Sequence, residues 1–236
     1  MDIALSVENL HAEIRGLHIL QGVNFEAKMG EITVILGRNG VGKTTLFKTI
    51  IGIIKPKEGA IKLFGEDVTG LPPHKITRKG ISYVPSERAI FSELTVEENL
   101  KIAYRGPKER FERNLNKIFN IFPDLEKLYS LKAGNLSGGQ QKMLSIACAL
   151  INDNKVLLLD EPSEGLSPKI LKDLYILIGQ LRRYTTIVIV EQNFNAVKGV
   201  GDYCYIMDKG KIVYQDTLQN LEKRKDVLRS YLGVSF

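Results

Sequence analysis

Short apolar runs rich in β-branched residues alternate along the chain with segments whose apolar residues recur every three or four positions. A continuous apolar run of four to eight residues is typical of a buried strand, and the longer spacing is typical of a helix. This alternation predicts an α/β organisation. The predicted strands are residues 5–10, 19–25, 32–36, 61–64, 81–85, 156–160, 186–191, 203–207 and 212–214. Helices are predicted to begin near Gly42, Val96, Arg110, Ser137, Pro168, Asn193, Leu218 and Asp226.

Between residues 86 and 150 the strand pattern is replaced by helical patterns such as "TVEENLKIAY" and "FERNLNKIFNIF". The block is therefore predicted to be a helical subdomain inserted into an α/β core. The predicted organisation is one domain over residues 1–236, with the core and a β-subdomain in 1–85 and 151–236 and the helical subdomain in 86–150. The stretch "MDKGKIVY" predicts a closing hairpin near residues 209–211.

The 236 residues are 44% hydrophobic and 25% charged, which is the composition of an ordinary globular protein. The opening segment alternates apolar and polar residues and predicts a strand, not a signal peptide. The longest apolar runs are far shorter than the roughly 20 residues that span a bilayer, so we expect another chain to supply any membrane anchor. Both cysteines, Cys148 and Cys204, lie in apolar runs, which predicts reduced core residues and a cytosolic compartment.

The formal net charge of +6 is compatible with an anionic partner such as a nucleic acid or a membrane surface. The positive charges are spread along the chain, however, and the densest run, "EKRKDVLR", is mixed in sign. Charge alone therefore does not decide the partner, and no nucleic-acid partner is predicted.

The segment "GRNGVGKT" fits the pattern G-x-x-x-x-G-K-[ST], and it lies between a predicted strand and a predicted helix. Glycines allow successive backbone N–H groups to point into one concavity, and the helix N-terminus adds its positive dipole end. Lys43 is predicted to reach the β- and γ-phosphates of ATP, and the Thr44 hydroxyl to bind Mg²⁺. The predicted nucleotide-binding residues here are Gly37, Arg38, Asn39, Gly40, Val41, Gly42, Lys43, Thr44 and Thr45.

Two acids end the apolar strand in "VLLLDEP". Asp160 is predicted to hold Mg²⁺ directly or through water, and Glu161 to orient and polarise the attacking water. Both roles require a carboxylate at the carboxyl end of a strand beside the phosphate loop. The alternative is a strand that simply ends in solvated acids.

A second glycine pair occurs in "LSGGQQ". Ser137 is predicted to cap the following helix, and Gly138 and Gly139 to expose backbone N–H groups beside Gln140. The segment thus predicts a second anion site in a chain that already has a phosphate loop.

"LSGGQ" is the signature of ATP-binding cassette (ABC) ATPases, and the chain resembles that family from end to end. The resemblance implies a P-loop NTPase core with an N-terminal antiparallel β-subdomain and an inserted helical subdomain. It also implies that the second anion site binds the γ-phosphate of ATP held by another subunit, so that ATP joins two subunits and hydrolysis releases them. The stretch "SEGLSP" lies where the family's D-loop contacts the partner subunit.

The chain departs from the family pattern at three positions. Gln192 stands where most members have a switch histidine, and a carboxamide donates a hydrogen bond but carries no charge near neutral pH. Ser86 stands where a glutamine usually contacts Mg²⁺ and the lytic water, so the shorter side chain is predicted to act through a bridging water. Ile14 stands where many members stack an aromatic ring on adenine.

The segments "YVPSER", "LSGGQQKMLSIACAL", "SEGLSP", "VEQN" and "YLG" together resemble the ATP-binding subunits of branched-chain (hydrophobic) amino-acid importers. This subgroup implies a sister ATPase subunit or a homodimer, two membrane permeases, and indirect dependence on an external solute-binding protein. It also implies a cytoplasmic protein, peripheral on the inner face of the cell membrane.

Two alternatives remain at the level of sequence. Ser86 and Gln192 suggest an ATP-binding regulatory or interaction subunit with weak hydrolysis, against which Glu161 argues. The other alternative is an ABC ATPase that acts on DNA or ribosomes. It is disfavoured because the chain has one cassette and no heptad insert.

Overall fold

Two β-sheets form the framework of the computed structural model, which describes residues 2–87 and 89–233. The smaller sheet is antiparallel and has the strand order β2-β1-β4-β5. Its strands are β1 (Ile3–Ile14), β2 (Leu17–Lys28), β4 (Glu58–Leu63) and β5 (Glu66–Asp67). This sheet is the N-terminal β-subdomain that the family resemblance implied.

The larger sheet has the order β10-β9-β3-β8-β7-β6 and is parallel except for β10. Every residue of β3, β7 and β8 is buried, because both faces of these central strands are covered. Their carboxyl ends meet at one edge of the sheet, where ligands of open α/β sheets bind. The strands are β3 (Ile32–Leu36), β6 (Ile81–Val84), β7 (Val156–Asp160), β8 (Thr186–Glu191), β9 (Tyr203–Asp208) and β10 (Lys211–Thr217).

Ten α-helices complete the part of the chain that the structure describes. They are α1 (Lys43–Ile50), α2 (Pro73–Arg78), α3 (Val96–Ala103), α4 (Phe111–Ile121), α5 (Pro123–Lys127), α6 (Gly138–Leu150), α7 (Pro168–Leu181), α8 (Phe194–Val197), α9 (Leu218–Lys223) and α10 (Lys225–Val227). A short π-helix, Leu228–Leu232, follows α10. Among the described residues, none of the helices combines the length and the apolar character that a membrane span requires.

Alternate residues of the central strands pack into two different hydrophobic cores. Val34 and Leu36 face a core shared with helices α3, α4, α6 and α7. Ile35 faces a second core shared with α1 and the smaller sheet. The large sheet is thus the middle layer of the molecule, and the phosphate loop leaves it at the end of β3.

Residues 86–150 contain α3 to α6, and among those described the only β-type pairing is an isolated bridge between Thr95 and Lys132. Thr95 caps α3 with a capping box that includes Glu98. The predicted helical character of this block is therefore confirmed, while its limits as a subdomain remain a prediction.

The predicted strands 32–36, 156–160 and 186–191 have the observed bounds, because a short run of mostly apolar residues is distinct from the polar segments on either side. Strands β1 and β2 are longer than predicted, and their outer residues pair with each other, from Ile3 with Lys28 to Ile14 with Leu17. Three short elements of two to six residues, β5, α2 and α5, were not predicted. The predicted hairpin forms at Lys209 and Gly210, which both have positive φ angles.

Candidate active site

The loop of residues 37–42 joins the end of β3 to the start of α1. Gly40 and Gly42 have positive φ angles of 83° and 111°, a backbone conformation that residues other than glycine rarely adopt. A Cβ atom on Gly37 would lie 2.6 Å from the Met207 carbonyl oxygen. Glycine is therefore required where the loop passes β9, and the loop opens at the N-terminus of α1.

The ammonium group of Lys43 lies under this loop. Its side chain is only 3% exposed, and its Nζ donates hydrogen bonds to the Gly37 and Arg38 carbonyl oxygens at 2.8 and 3.0 Å. The same Nζ is 3.0 Å from Glu161 Oε1. A buried cation at the mouth of a glycine loop is suited to bind the oxygens of a polyphosphate.

Thr44 and Asp160 form an oxygen pair next to this cation. The Thr44 hydroxyl donates to Asp160 Oδ1 at 3.1 Å, so the two predicted Mg²⁺ ligands are neighbours. Burial raises the pKa of Asp160, while hydrogen bonds from Tyr83 and Thr44 oppose that change. A hydroxyl and one carboxylate, completed by phosphate oxygens, fit Mg²⁺. The described residues contain no cluster of three His, Cys, Asp or Glu side chains that could hold a metal ion by itself.

Tyr83 is a site residue that the sequence did not reveal. Its hydroxyl donates to Asp160 Oδ2 at 2.8 Å from the neighbouring strand β6. Burial and the nearby carboxylate raise the pKa of Tyr83 well above its usual value, so the hydroxyl stays a donor. Tyrosine in an apolar strand gives no sign of function, and only the β6–β7 pairing brings it to Asp160.

We expect Tyr83→Phe to raise the Mg²⁺ concentration for half-maximal ATP turnover by about tenfold, because a hydrogen bond that orients a metal-binding carboxylate is lost. The measurement is turnover against Mg²⁺ at saturating ATP. Tyr129→Phe, in the helical block, is the matched control. Equal Mg²⁺ dependence in wild type and both variants would show that Tyr83 does not support the metal site.

Glu161 follows β7 and has a φ angle of 42°, which is unusual for a residue other than glycine. Its backbone N–H donates to the Val190 carbonyl oxygen at 3.0 Å, which fixes this conformation. Strained backbone of this kind is concentrated at functional sites. The side chain lines an open cleft of about 530 Å³, together with Asn39, Glu191 and Gln192.

Glu191 and Gln192 end β8 but lie in different environments. Glu191 is 1% exposed and accepts hydrogen bonds from Tyr175 Oη at 2.7 Å and from the backbone N–H groups of Ser163, Gln192 and Asn193. Gln192 is exposed to the cleft. The Glu191 carboxylate thus fixes the loops on both sides of the cleft, whereas the Gln192 carboxamide is available to a ligand.

The signature segment lies at the exposed N-terminus of α6. The predicted cap is present: the Ser137 hydroxyl accepts from the Gln140 N–H, and the Gln140 side chain accepts from the Ser137 N–H at 2.9 Å. Gly139 packs so closely on α7 that a Cβ would lie 2.5 Å from Ile170 Cγ2. Gly138 belongs to a cleft different from the one that contains Glu161 and Gln192.

That second cleft, of about 210 Å³, also contains Ser86 and Lys142. Lys142 Nζ donates to the Ser86 carbonyl oxygen at 3.1 Å, and burial lowers the pKa of this lysine. Lys142 therefore ties α6 to the loop after β6, a contact that the sequence did not indicate. Ser86 itself is not brought next to Thr44 or Asp160 by any hydrogen bond among the described residues, and its metal role stays a prediction.

Ile14 ends β1 and is 37% exposed, beside the turn to β2. An exposed apolar side chain here is available to pack on a base, and the adenine contact stays a prediction. Nearby, the His18 ring is 2.7 Å from Glu13.

The large sheet has a glycine loop after β3, a buried lysine below that loop and a carboxylate pair at the end of β7, which is separated from β3 by β8. This arrangement defines a P-loop nucleotide hydrolase. Residues 20–164 match the family model described as ABC transporter. The chain belongs to this family and is an ATPase with an ATP-binding cassette fold.

The chain is 41% identical over 229 residues to the high-affinity branched-chain amino acid transport ATP-binding protein BraG of Pseudomonas aeruginosa, covering 96% of this chain and 97% of BraG. It is 38% identical over 233 residues to the probable branched-chain amino acid transport ATP-binding protein LivF of Archaeoglobus fulgidus, covering 98% and 99%. The ADP conformation of MJ1267, an ATP-binding cassette of an ABC transporter, has a TM-score of 0.88 at 29% identity and covers 99% of this chain and all of that one. The predicted fold class and family are confirmed.

Proposed function

We propose that this chain is the ATP-hydrolysing subunit of an importer of branched-chain amino acids. The observation that carries the proposal is its similarity to BraG and LivF over nearly the full length of all three chains. The second support is geometric, since Lys43, Thr44, Asp160 and Glu161 lie together at one edge of the sheet.

Each residue of the site then has a role. The loop of residues 37–45 binds the phosphates of ATP, with Lys43 on the β- and γ-phosphates. Thr44 and Asp160 would hold Mg²⁺, and Ser86 would act on it through a bridging water. Phosphate oxygens replace Glu161 as the partner of Lys43, which leaves the Glu161 carboxylate to accept a proton from the attacking water. Mg²⁺ supplies charge neutralisation on the phosphates when bound.

The two remaining parts of the site point to a second subunit. Gln192 donates a hydrogen bond to the γ-phosphate, and Ser137, Gly138, Gly139 and Gln140 bind the ATP held by another cassette. The exposed position of the signature, in a cleft separate from the phosphate loop, supports this division. We infer that the partner cassette is a sister subunit or a second copy of this chain.

The proposed assembly contains two cassettes, two membrane permeases and, indirectly, an external solute-binding protein. This chain works in the cytoplasm at the inner face of the cell membrane. BraG and LivF are both named as transport ATP-binding proteins, and the similarity of this chain to them supports its assembly with a permease.

Uptake of radiolabelled leucine tests the function. A Pseudomonas aeruginosa strain that lacks BraG is complemented with this chain or with its Lys43→Ala variant. We expect uptake only with the wild-type chain, because the variant lacks the phosphate-binding cation. Co-purification with the permeases and active ATP turnover without leucine uptake would reject branched-chain amino acids as the substrate.

A regulatory subunit with weak hydrolysis is the second candidate, because Gln192 is uncharged where a histidine is usual. We expect Gln192→His to raise turnover about fivefold, with the gain increasing as the pH falls through the imidazole pKa near 6.5. Turnover of the variant is measured between pH 6 and 8 against wild type and Gln180→His, an exposed position on α7. An unchanged rate in the Gln192→His variant would mean that residue 192 does not limit hydrolysis.

A further inference from the structure

Four arginines line a second open cleft, of about 640 Å³, on the side of the large sheet opposite the phosphate loop. We call it the arginine cleft and define it by Arg78, Arg105, Arg110 and Arg113. It lies beside the segments that lead into β6 and β7, that is, at the amino ends of strands whose carboxyl ends reach the ATPase site. The cleft is therefore not part of that site.

The positive charge of the arginine cleft is largely uncompensated. Among the described residues, Arg78, Arg110 and Arg113 form no ion pair, and Arg105 Nη1 donates only to the neutral Thr77 hydroxyl, at 2.7 Å. The one carboxylate in the lining, Asp153, is paired with Lys117. All four guanidinium groups belong to exposed residues, so a ligand from solution reaches them.

Neutral amides hold the walls of the cleft in place. Asn152 Oδ1 accepts from the Arg105 backbone N–H at 2.8 Å, and Asn152 Nδ2 donates to the Ala103 carbonyl oxygen at 2.8 Å. Asn114 Nδ2 donates to the Ile151 carbonyl oxygen at 2.7 Å. These bonds join the α3–α4 connection and α4 to the segment after α6, so the arginines are carried on connected backbone and not on a free loop.

The placement of two of the arginines does not serve helix stability. Arg110 occupies the N-cap position of α4 without a side-chain capping bond, and Arg113 lies in the first turn, where positive charge opposes the helix dipole. Glu112, in the same turn, does not line the cleft. An anion in the cleft would relieve the repulsion among the arginines and would also interact favourably with the end of α4.

We propose that the arginine cleft is a binding site for closely spaced phosphate groups. Guanidinium groups bind phosphate oxygens in a bidentate manner, and four of them around one cleft suit a ligand with at least two phosphates. The cleft is within the size range of small-molecule sites. The phosphates belong either to a soluble polyphosphorylated molecule or to the headgroups of an anionic membrane. The proposal is independent of the transported substrate.

Calorimetric titration with tripolyphosphate tests the soluble form of the ligand. Saturating Mg-ADP is present throughout, so that the phosphate loop is occupied. The variant carries Arg105→Gln, Arg110→Gln and Arg113→Gln. The control carries Arg183→Gln, Lys223→Gln and Arg229→Gln, three exposed residues outside the cleft with the same total change of charge. We expect affinity to fall at least about tenfold in the variant and less than about twofold in the control.

Sedimentation with phosphatidylglycerol and with phosphatidylcholine vesicles tests the lipid form. Arginine-dependent binding of tripolyphosphate supports a soluble ligand, and arginine-dependent binding confined to phosphatidylglycerol vesicles supports a headgroup site. A third measurement uses only the wild type: tripolyphosphate or phosphatidylglycerol vesicles protect the cleft arginines from phenylglyoxal, as read by mass spectrometry. Equal losses of binding in variant and control, or no protection by either probe, would overturn the proposal.

Discussion

Replacing Glu161 with glutamine is expected to lower ATP turnover by about a hundredfold or more while ATP binding is retained. The carboxamide has the same shape as the carboxylate but accepts no proton from the attacking water. The Lys43 ammonium, 3.0 Å from Glu161 in the structure, keeps its bonds to the Gly37 and Arg38 carbonyl oxygens. Steady-state phosphate release measures the rate, and titration with a fluorescent ATP analogue measures binding.

The control is Glu164→Gln, because Glu164 is an exposed carboxylate that lines the same cleft. This variant is expected to turn over ATP like the wild type. If Glu161→Gln keeps the wild-type rate, the assignment of Glu161 as the general base is wrong. If both variants are equally slow, the negative charge of the cleft matters and not the position of Glu161.

Light scattering of the Glu161→Gln protein also addresses the partner cassette. Blocked hydrolysis is expected to trap a closed dimer, because ATP stays between the phosphate loop of one subunit and Ser137 of the other. An ATP-dependent doubling of mass would show that two copies of this chain form the sandwich. A persistent monomer with ATP bound would show that a sister subunit is required.

Replacing Glu191 with alanine is expected to reduce the free energy of unfolding by about 3 kcal/mol, because buried donors lose their shared acceptor. For a chain of this size the melting temperature then falls by about 8 °C. Turnover is expected to fall as well, since the backbones of Gln192 and Ser163 are no longer fixed on either side of the cleft. Thermal unfolding and phosphate release are the two measurements.

Tyr175→Phe separates these effects, since it removes a single donor to Glu191 and leaves the backbone donors paired. It is expected to cost about 1 kcal/mol and to leave turnover close to that of the wild type. A wild-type melting temperature for Glu191→Ala would contradict the view that this carboxylate holds the two loops together.

Glu191 and Gln192 show how far a linear pattern identifies site residues. They are neighbours at the end of one apolar run, and the sequence offered a functional reading only for Gln192, through the family resemblance. The structure adds the reason for the carboxylate: Ser163, from the loop after β7, and Tyr175, from α7, both donate hydrogen bonds to it. Tyr83 and Lys142 were missed for the same reason, since their partners lie 77 and 56 residues away along the chain.

The sequence by itself determined the elements whose signal is local. An apolar run fixes a buried strand, a glycine loop before a lysine fixes a phosphate nest, and Ser137 with Gln140 fixes a helix cap, because each depends on contacts within a few residues. Only the tertiary structure decided which strands are neighbours, which carboxylate is a buried anchor, and that four arginines from three segments share one cleft. These features depend on groups that are far apart in the chain, and chain folding alone sets the distances between them.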